Sequence, residues 1–263
     1  MKKWVLAAIL YLTASMGGFT IYENFFQNDS NSTHEKMDGH NSDMMHHKTN
    51  ATESEVKTDL QYQNGLITIS IKDKSGNPVT HFEVNHEKIL HLIVVNDQLN
   101  QYYHLHPKQL GNGKFQIQKN LSNGSYKAFI DIKPKNLKYV VKPVQFKEGK
   151  NEVVHEPNLI PDTKLTKVVE GKTVSLKMSS HKAHEMITLD FKLNTTNLEP
   201  YLGAMGHVVI LNEHATHYLH VHPKNNDNPI FVTEFEKPGI YKIWAEFKQG
   251  GVVRAFPFVV KIN

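Results

Sequence analysis

The sequence contains no cysteine, and Arg254 is the single arginine among its 30 basic residues. The absence of cysteine excludes disulfide bridges, cysteine-ligated zinc, thiol catalysis and a lipid-modified N-terminal cysteine. Because base readout in nucleic acids relies on bidentate arginine, we expect no nucleic-acid partner. The sequence also lacks a G-x-S-x-G element, a Walker loop and a dinucleotide-binding glycine pattern. We therefore expect a protein that is not an enzyme, and we assign no catalytic residue.

Histidine is abundant, with 17 residues in a chain of 263. Since no thiolate is available, a soft or borderline metal ion would have to be held by histidine and methionine, with carboxylates in support. Hydrophobic residues make up 39% of the chain and the net charge is +4. This composition allows packed cores but excludes a polytopic membrane protein, and the length suits two domains.

The N-terminal residues 1–22 form the first predicted region. Lys2 and Lys3 precede an uncharged run from Trp4 to Tyr22. As a helix, this run would span roughly 28 Å at about 1.5 Å per residue, which is close to the thickness of a bilayer core. The pattern predicts a hydrophobic helix that is either a membrane anchor or a cleaved signal peptide. The positive flank stays in the cytoplasm, so we expect the chain at the outer face of the cell membrane, or secreted after cleavage.

Residues 23–57 are polar and nearly free of branched apolar side chains, which predicts a disordered tether. The tether is rich in histidine and methionine, a pair of ligand types that suits copper. Its candidate ligands, which we rank below those of the folded domains, are His34, His40, Met44, Met45, His46 and His47. The alternative is a solvated linker whose histidines have no function.

The remainder of the chain has the pattern of an all-β protein. Short alternating runs such as Leu66–Lys72 and Met186–Leu193 are separated by turn signals such as Asn64-Gly65 and Gly250-Gly251. Many short strands of this kind are typical of β-sandwiches. We predict two tandem immunoglobulin-like β-sandwiches, over residues 58–150 and 163–263, after the N-terminal hydrophobic helix and the tether.

An internal repeat supports the division into two domains. His91 is followed 13 and 15 residues later by His104 and His106, and His106 precedes a proline. The second copy repeats both spacings and the proline, with histidines His207, His220 and His222.

The spacing of these histidines predicts two metal sites. His220 and His222 are two residues apart, so on a strand both point to the same face. A hairpin with an even-numbered loop would bring His207 onto that face, with Met205 as a soft fourth ligand. The first copy has Ile89 in place of Met205. We expect copper, with zinc or nickel as alternatives. The alternative interpretation is a hairpin signature in which the histidines bond to the backbone or to a tyrosine.

Several further histidines are weaker candidates. His181 and His184 form an H-x-x-H-E-M element that favours surface decoration over a fourth ligand. In the first copy, the spare donors are His81 and His86.

The second copy resembles exported bacterial proteins with YtkA-like domains, which look related to the immunoglobulin-like copper-resistance group that includes CopC. The resemblance lies in Tyr201-Leu-Gly-Ala-Met-Gly-His207, in Tyr218-Leu-His220-Val-His222-Pro223 and in Pro238-Gly-Ile-Tyr241-Lys. It covers Thr163–Asn263 well and Leu60–Phe146 loosely. It implies a β-sandwich, an extracytoplasmic location and a role in copper handling.

Three functions remain open at this point. The first is an extracytoplasmic metal-binding protein, most simply for copper, that sequesters, buffers or delivers the ion and is held to the membrane by its N-terminal segment. The second is an immunoglobulin-like module that binds another protein of the cell envelope. The third is a His-ligated metalloenzyme, because three histidines with an open position also hold catalytic ions.

Overall fold

The computed structural model of the protein describes residues 53–85, 87–149, 157–223 and 228–263. The predicted hydrophobic helix and the candidate ligands of the tether lie outside these residues. All regular structure in the described part consists of β-strands, as the alternating pattern predicted. Within the same part, no helix is long and apolar enough to cross a membrane.

The first sandwich packs two antiparallel sheets against each other. One sheet has the order β1-β2-β7-β6; the other has the order β3-β8-β4-β5, with β9 also paired to β8. Its strands are β1 Val56–Gln63, β2 Leu66–Asp73, β3 Phe82–Glu83, β4 Leu90–Asn96, β5 Tyr102–Leu105, β6 Lys108–Gly111, β7 Lys114–Gln118, β8 Gly124–Pro134 and β9 Pro143–Glu148.

The second sandwich repeats this architecture. Its sheets have the orders β10-β11-β12-β16 and β13-β17-β14-β15, with β18 paired to β17. Its strands are β10 Thr166–Val169, β11 Lys172–Met178, β12 Met186–Leu193, β13 Leu198–Glu199, β14 His207–Asn212, β15 Tyr218–Val221, β16 Ile230–Glu234, β17 Gly239–Gln249 and β18 Val252–Ile262. The described strands therefore form two tandem immunoglobulin-like domains, which confirms the predicted fold class.

Each sandwich has its own apolar core, made by the inward positions of the alternating strands. In the first core, Ile67, Ile69 and Ile71 are fully buried against Phe115. In the second core, Phe191 packs on Phe231, Phe247 and Phe258. The second hairpin contributes four residues to this core: Val208, Ile210, Leu219 and Val221.

A third apolar cluster joins the two sandwiches through the opposite face of β4 and β14. The buried residues of this interface cluster are Ile93, Val95, Leu99 and Phe129 from the first sandwich and Val209, Leu211, Ala215 and Trp244 from the second. Two stacked ring pairs join the strands within it: Tyr102 on Trp244 at 4.8 Å between centroids, and Phe129 on Tyr218 at 5.1 Å. Since Val209 and Leu211 lie on the same strand face as His207, that face is covered by the other sandwich.

Candidate metal centre

Three histidines of the first copy converge, as their spacing predicted. His91 lies on β4, His104 lies on β5, and His106 follows β5 directly. Nδ1 of His91 is 2.9 Å from Nε2 of His104 and 3.2 Å from Nε2 of His106. A tetrahedral ion with metal–nitrogen distances of 2.0–2.1 Å separates its ligand atoms by about 3.3–3.4 Å. These two distances are close to the separation that one ion requires, and the third pair of ligand nitrogens lies within 4.8 Å.

Acceptor oxygens on the far side of the rings determine which nitrogens face inward in this triad. Nε2 of His91 lies 2.8 Å from the carbonyl oxygen of Asn85, and Nδ1 of His104 lies 2.5 Å from Oε2 of Glu246. Because a carbonyl and a carboxylate only accept, those two ring nitrogens donate. When both rings are neutral, their lone pairs therefore lie on Nδ1 of His91 and Nε2 of His104, which face each other. Ligating histidines usually have outer hydrogen bonds of this kind.

The second copy builds the same triad with His207 on β14, His220 on β15 and His222 just after β15. The β14–β15 ladder pairs Val209 with His220. The loop is therefore even-numbered, which is the condition for His207 to share a face with the other two histidines. In each triad, one ligand nitrogen per histidine lies within 4.8 Å of the other two. Among the described residues, these two triads are the groups that bring three potential metal ligands together in this way.

The outer hydrogen bonds of the second triad match those of the first. Nε2 of His207 lies 2.8 Å from the carbonyl oxygen of Tyr201, and Nδ1 of His220 lies 3.0 Å from Oδ2 of Asp131. The atoms left to face inward, Nδ1 of His207 and Nε2 of His220, are fully buried, as is Nε2 of His222. Both triads thus offer one Nδ1 and at least one Nε2 as ligand atoms.

The two carboxylates, Asp131 and Glu246, come from the sandwich opposite to the histidine that they orient. Asp131 lies on β8 and reaches His220 of the second sandwich, while Glu246 lies on β17 and reaches His104 of the first. Both carboxylates are nearly excluded from solvent, with exposed side-chain fractions of 14% and 6%. Tyr218 also donates its hydroxyl to Asp131 at 3.0 Å.

Burial favours the neutral form of two rings in the first triad. It lowers the pKa of His91 well below the ordinary histidine value. Burial, with a smaller repulsion from His104, lowers the pKa of His106 to about 3. Burial also raises the pKa of Asp131, against the stabilising contacts of the neighbouring histidines and Tyr218. At neutral pH, His91 and His106 therefore retain the lone pairs that a metal ion needs.

The other predicted ligands have different positions. Met205 is half-buried in the bend before β14, and its role as a fourth ligand stays a prediction. His181 and His184 are exposed and belong to neither triad. His81 is exposed and bonds to Thr80. The other spare donor of the first copy, His86, lies outside the described residues, together with the six tether ligands.

Sequence reasoning did not identify Asp131 and Glu246. A signal for both existed: each is a single acid within a strongly apolar strand, in Tyr126-Lys-Ala-Phe-Ile-Asp131 and in Tyr241-Lys-Ile-Trp-Ala-Glu246. Each also lies opposite the first histidine of its own copy, because the ladders pair His91 with Asp131 and His207 with Glu246.

A family described as "domain of unknown function (DUF8832)" matches residues 46–148 and 167–263, and the chain belongs to this family, with two copies of its domain. No curated protein matches the sequence significantly.

Three solved structures are similar to this chain at low sequence identity. A two-domain fibronectin type III segment of chicken tenascin is 8% identical with a TM-score of 0.26, over 78% of this chain and 97% of that one. The Escherichia coli adhesin FdeC is 11% identical with a TM-score of 0.25, over 80% and 64%. The FN1–FN3 domains of chicken CNTN1 are 11% identical with a TM-score of 0.24, over 78% and 63%. Scores this low carry no information on function.

Proposed function

We propose that this protein is an extracytoplasmic copper-binding protein, which sequesters, buffers or delivers the ion through the two histidine triads. The observation that carries this proposal is the inward orientation of the ring nitrogens in both triads. In the first triad, the facing lone pairs of His91 and His104, which are 2.9 Å apart when both rings are neutral, repel each other unless a cation lies between them. In each triad, two of the three rings donate a hydrogen bond to an acceptor oxygen, as the ligating histidines of metal sites usually do.

Copper is our preferred ion because of the ligand chemistry. Imidazole binds copper, zinc and nickel, and the thioether ligands of the tether and of Met205 favour Cu(I) over the other two. The resemblance of the second copy to YtkA-like and CopC-related domains also points to copper. In this proposal, residues 1–22 deliver or hold the chain outside the cytoplasm, and the tether histidines and methionines capture ions loosely for the triads.

The competing function is an immunoglobulin-like module that binds another envelope protein. It is supported by the tandem sandwich fold, in which the triads would serve only as a hydrogen-bond network between the domains. The two functions differ in one measurable property, which is whether the triads retain copper against a chelator.

The test is a competition titration of the full chain in detergent with Cu(I) and Zn(II), each against a chromophoric chelator. The starting protein carries serine at His34, His40, Met44, Met45, His46 and His47, which removes the loose sites of the tether. We expect two tightly held copper ions per chain, and one after His220→Ala/His222→Ala. Circular dichroism reports whether the variant folds.

The matched control is His214→Ala/His217→Ala. Both residues are exposed in the turn between β14 and β15, so this variant also removes two histidines from the same hairpin. It should still bind two ions. Absence of tight binding by the starting protein would overturn the proposal and favour the interaction module. Tight binding of zinc with weak binding of copper would overturn the choice of metal.

A further inference from the structure

We infer that the two triads form a single two-metal centre shared by the two sandwiches, in which each sandwich supplies the carboxylate that orients a ligand of the other's ion. This inference rests on the proposed function, since it requires that both triads bind metal. It adds that the two ions lie next to each other, and that neither site is complete without the other domain.

The distances between rings place the two triads side by side. Within the triads, ring centroids are 4.4–5.6 Å apart. The shortest distance joins His220 and His222, and the longest joins His207 and His220. Between the triads, the centroid of His91 is 5.0 Å from that of His220, and the centroid of His104 is 5.3 Å from that of His220. His207 lies 6.0 Å from His104 and 6.4 Å from His91. The gap between the triads is therefore hardly wider than the gaps within them.

The exchange of carboxylates ties the two sites to each other. Removal of Glu246 from the second sandwich would release the ring of His104, which is a ligand in the first. Removal of Asp131 would release His220 in the same way. Outer partners of this kind typically change metal affinity by 10–100-fold. The two carboxylates also offset two of the positive charges that a pair of ions brings into a buried space, where unbalanced charge is costly.

The packing around the centre keeps the two triads at this distance. His91 lies on the same strand as Ile93, and His207 lies on the same strand as Val209; both apolar side chains are fully buried in the interface cluster. Tyr102 of the first sandwich stacks on Trp244 of the second, and Tyr102 also lies beside the carboxylate of Glu246. Because the interface is apolar and closely packed, it provides a fixed separation for two ions.

The experiment uses the full chain with the serine-substituted tether and Cu(II) as the probe. Electron paramagnetic resonance spectra are recorded at one and at two equivalents, with chelator competition on the same samples. Two neighbouring Cu(II) ions should give a half-field transition or a loss of signal intensity at two equivalents. The His220→Ala/His222→Ala variant, which keeps one triad, should give the ordinary spectrum of an isolated ion.

A second variant tests the exchange without deleting a ligand. In the His220→Ala/His222→Ala background, only the triad of the first sandwich remains. Glu246→Gln should lower its copper affinity by about 10–100-fold, although Glu246 belongs to the second sandwich. Glu185→Gln, which changes an exposed glutamate of the same sandwich, is the control and should leave affinity unchanged.

The outcomes separate this inference from the proposed function. Two tightly bound ions with the spectra of isolated Cu(II) would overturn the shared centre and leave metal binding intact. One tightly bound ion per chain, lost on substitution in either triad, would replace the two-metal centre by a single site. No effect of Glu246→Gln would overturn the exchange of carboxylates. Absence of tight binding would overturn the proposed function itself.

Discussion

Nδ1 of His104 lies 2.5 Å from Oε2 of Glu246, which is 142 positions further along the chain and in the other sandwich. His220 and Asp131 form the reverse pair, with a separation of 3.0 Å. Each triad is thus built by one copy of the repeat, and one of its three rings is oriented by a carboxylate of the other copy. The duplication supplies two similar hairpins, and their contact adds one outer hydrogen bond to each triad.

Disruption of the domain interface should weaken both stability and metal binding. Trp244 is 3% exposed and stacks on Tyr102, two residues before His104. We expect Trp244→Ala to lower the free energy of unfolding by about 3–5 kcal/mol and also to lower copper affinity. Urea unfolding and chelator competition measure the two effects. Leu110→Ala, at a 53% exposed position, should change neither.

Copper should stabilise the folded chain. A ligand that binds the native state alone adds about 2.7 kcal/mol at a free concentration 100 times its Kd. We expect the melting temperature to rise with Cu(I) and to return after addition of a strong chelator. The His220→Ala/His222→Ala variant should show a smaller rise. An equal rise in the variant and the parent would place the stabilising ions outside the second triad.

Addition of a single methyl group next to the second triad should weaken copper binding. Gly206 has φ of 143°, and a Cβ at this position would lie 2.6 Å from Cε1 of Phe247 and 2.9 Å from the carbonyl oxygen of Glu246. Gly206→Ala should therefore shift β14 at His207 and weaken copper binding. Gly171→Ala is the matched control, because its φ is also positive but nothing lies within 4 Å. It should cost about 1–2 kcal/mol of backbone strain and leave copper affinity unchanged.

Truncation of a core side chain in the second sandwich should lower the free energy of unfolding, although it removes no metal ligand. Phe191 is 1% exposed and packs on three other phenylalanines. Phe191→Ala should lower the free energy of unfolding by about 3–5 kcal/mol in a denaturant titration. Val168→Ala, at a position that is 67% exposed, should stay within about 0.5 kcal/mol of the parent. A cost at Val168 as large as that at Phe191 would contradict the assignment of the core.

The strands and the two triads could be predicted from the sequence because they depend on local rules. Side chains alternate along a strand, so His220 and His222 share a face, and the four residues between Asn212 and His217 determine the register that brings in His207. The Gly250-Gly251 turn joins β17 to β18 with both residues at positive φ, as glycine allows.

The contact between the sandwiches could not be predicted in the same way. Nothing local in the sequence indicates that the histidine faces of the two copies meet. His207 is the neighbour of Glu246 on the adjacent strand, and the sequence does not indicate that the carboxylate bonds to His104 instead. The pairing of Glu246 with His104 depends on the tertiary packing of Val209 and Leu211 against the first sandwich. In the sequence, the apolar residues Val209 and Leu211 lie on the same strand face as His207, which is consistent with a covered face.

The most direct measurement is anomalous X-ray diffraction at the copper edge, on crystals of the chain grown with copper. We predict two neighbouring peaks, each about 2.0–2.1 Å from the ligand nitrogens of one triad. One peak should lie among His91, His104 and His106, and the other among His207, His220 and His222. Crystals that hold copper elsewhere on the chain, with neither triad occupied, would contradict it.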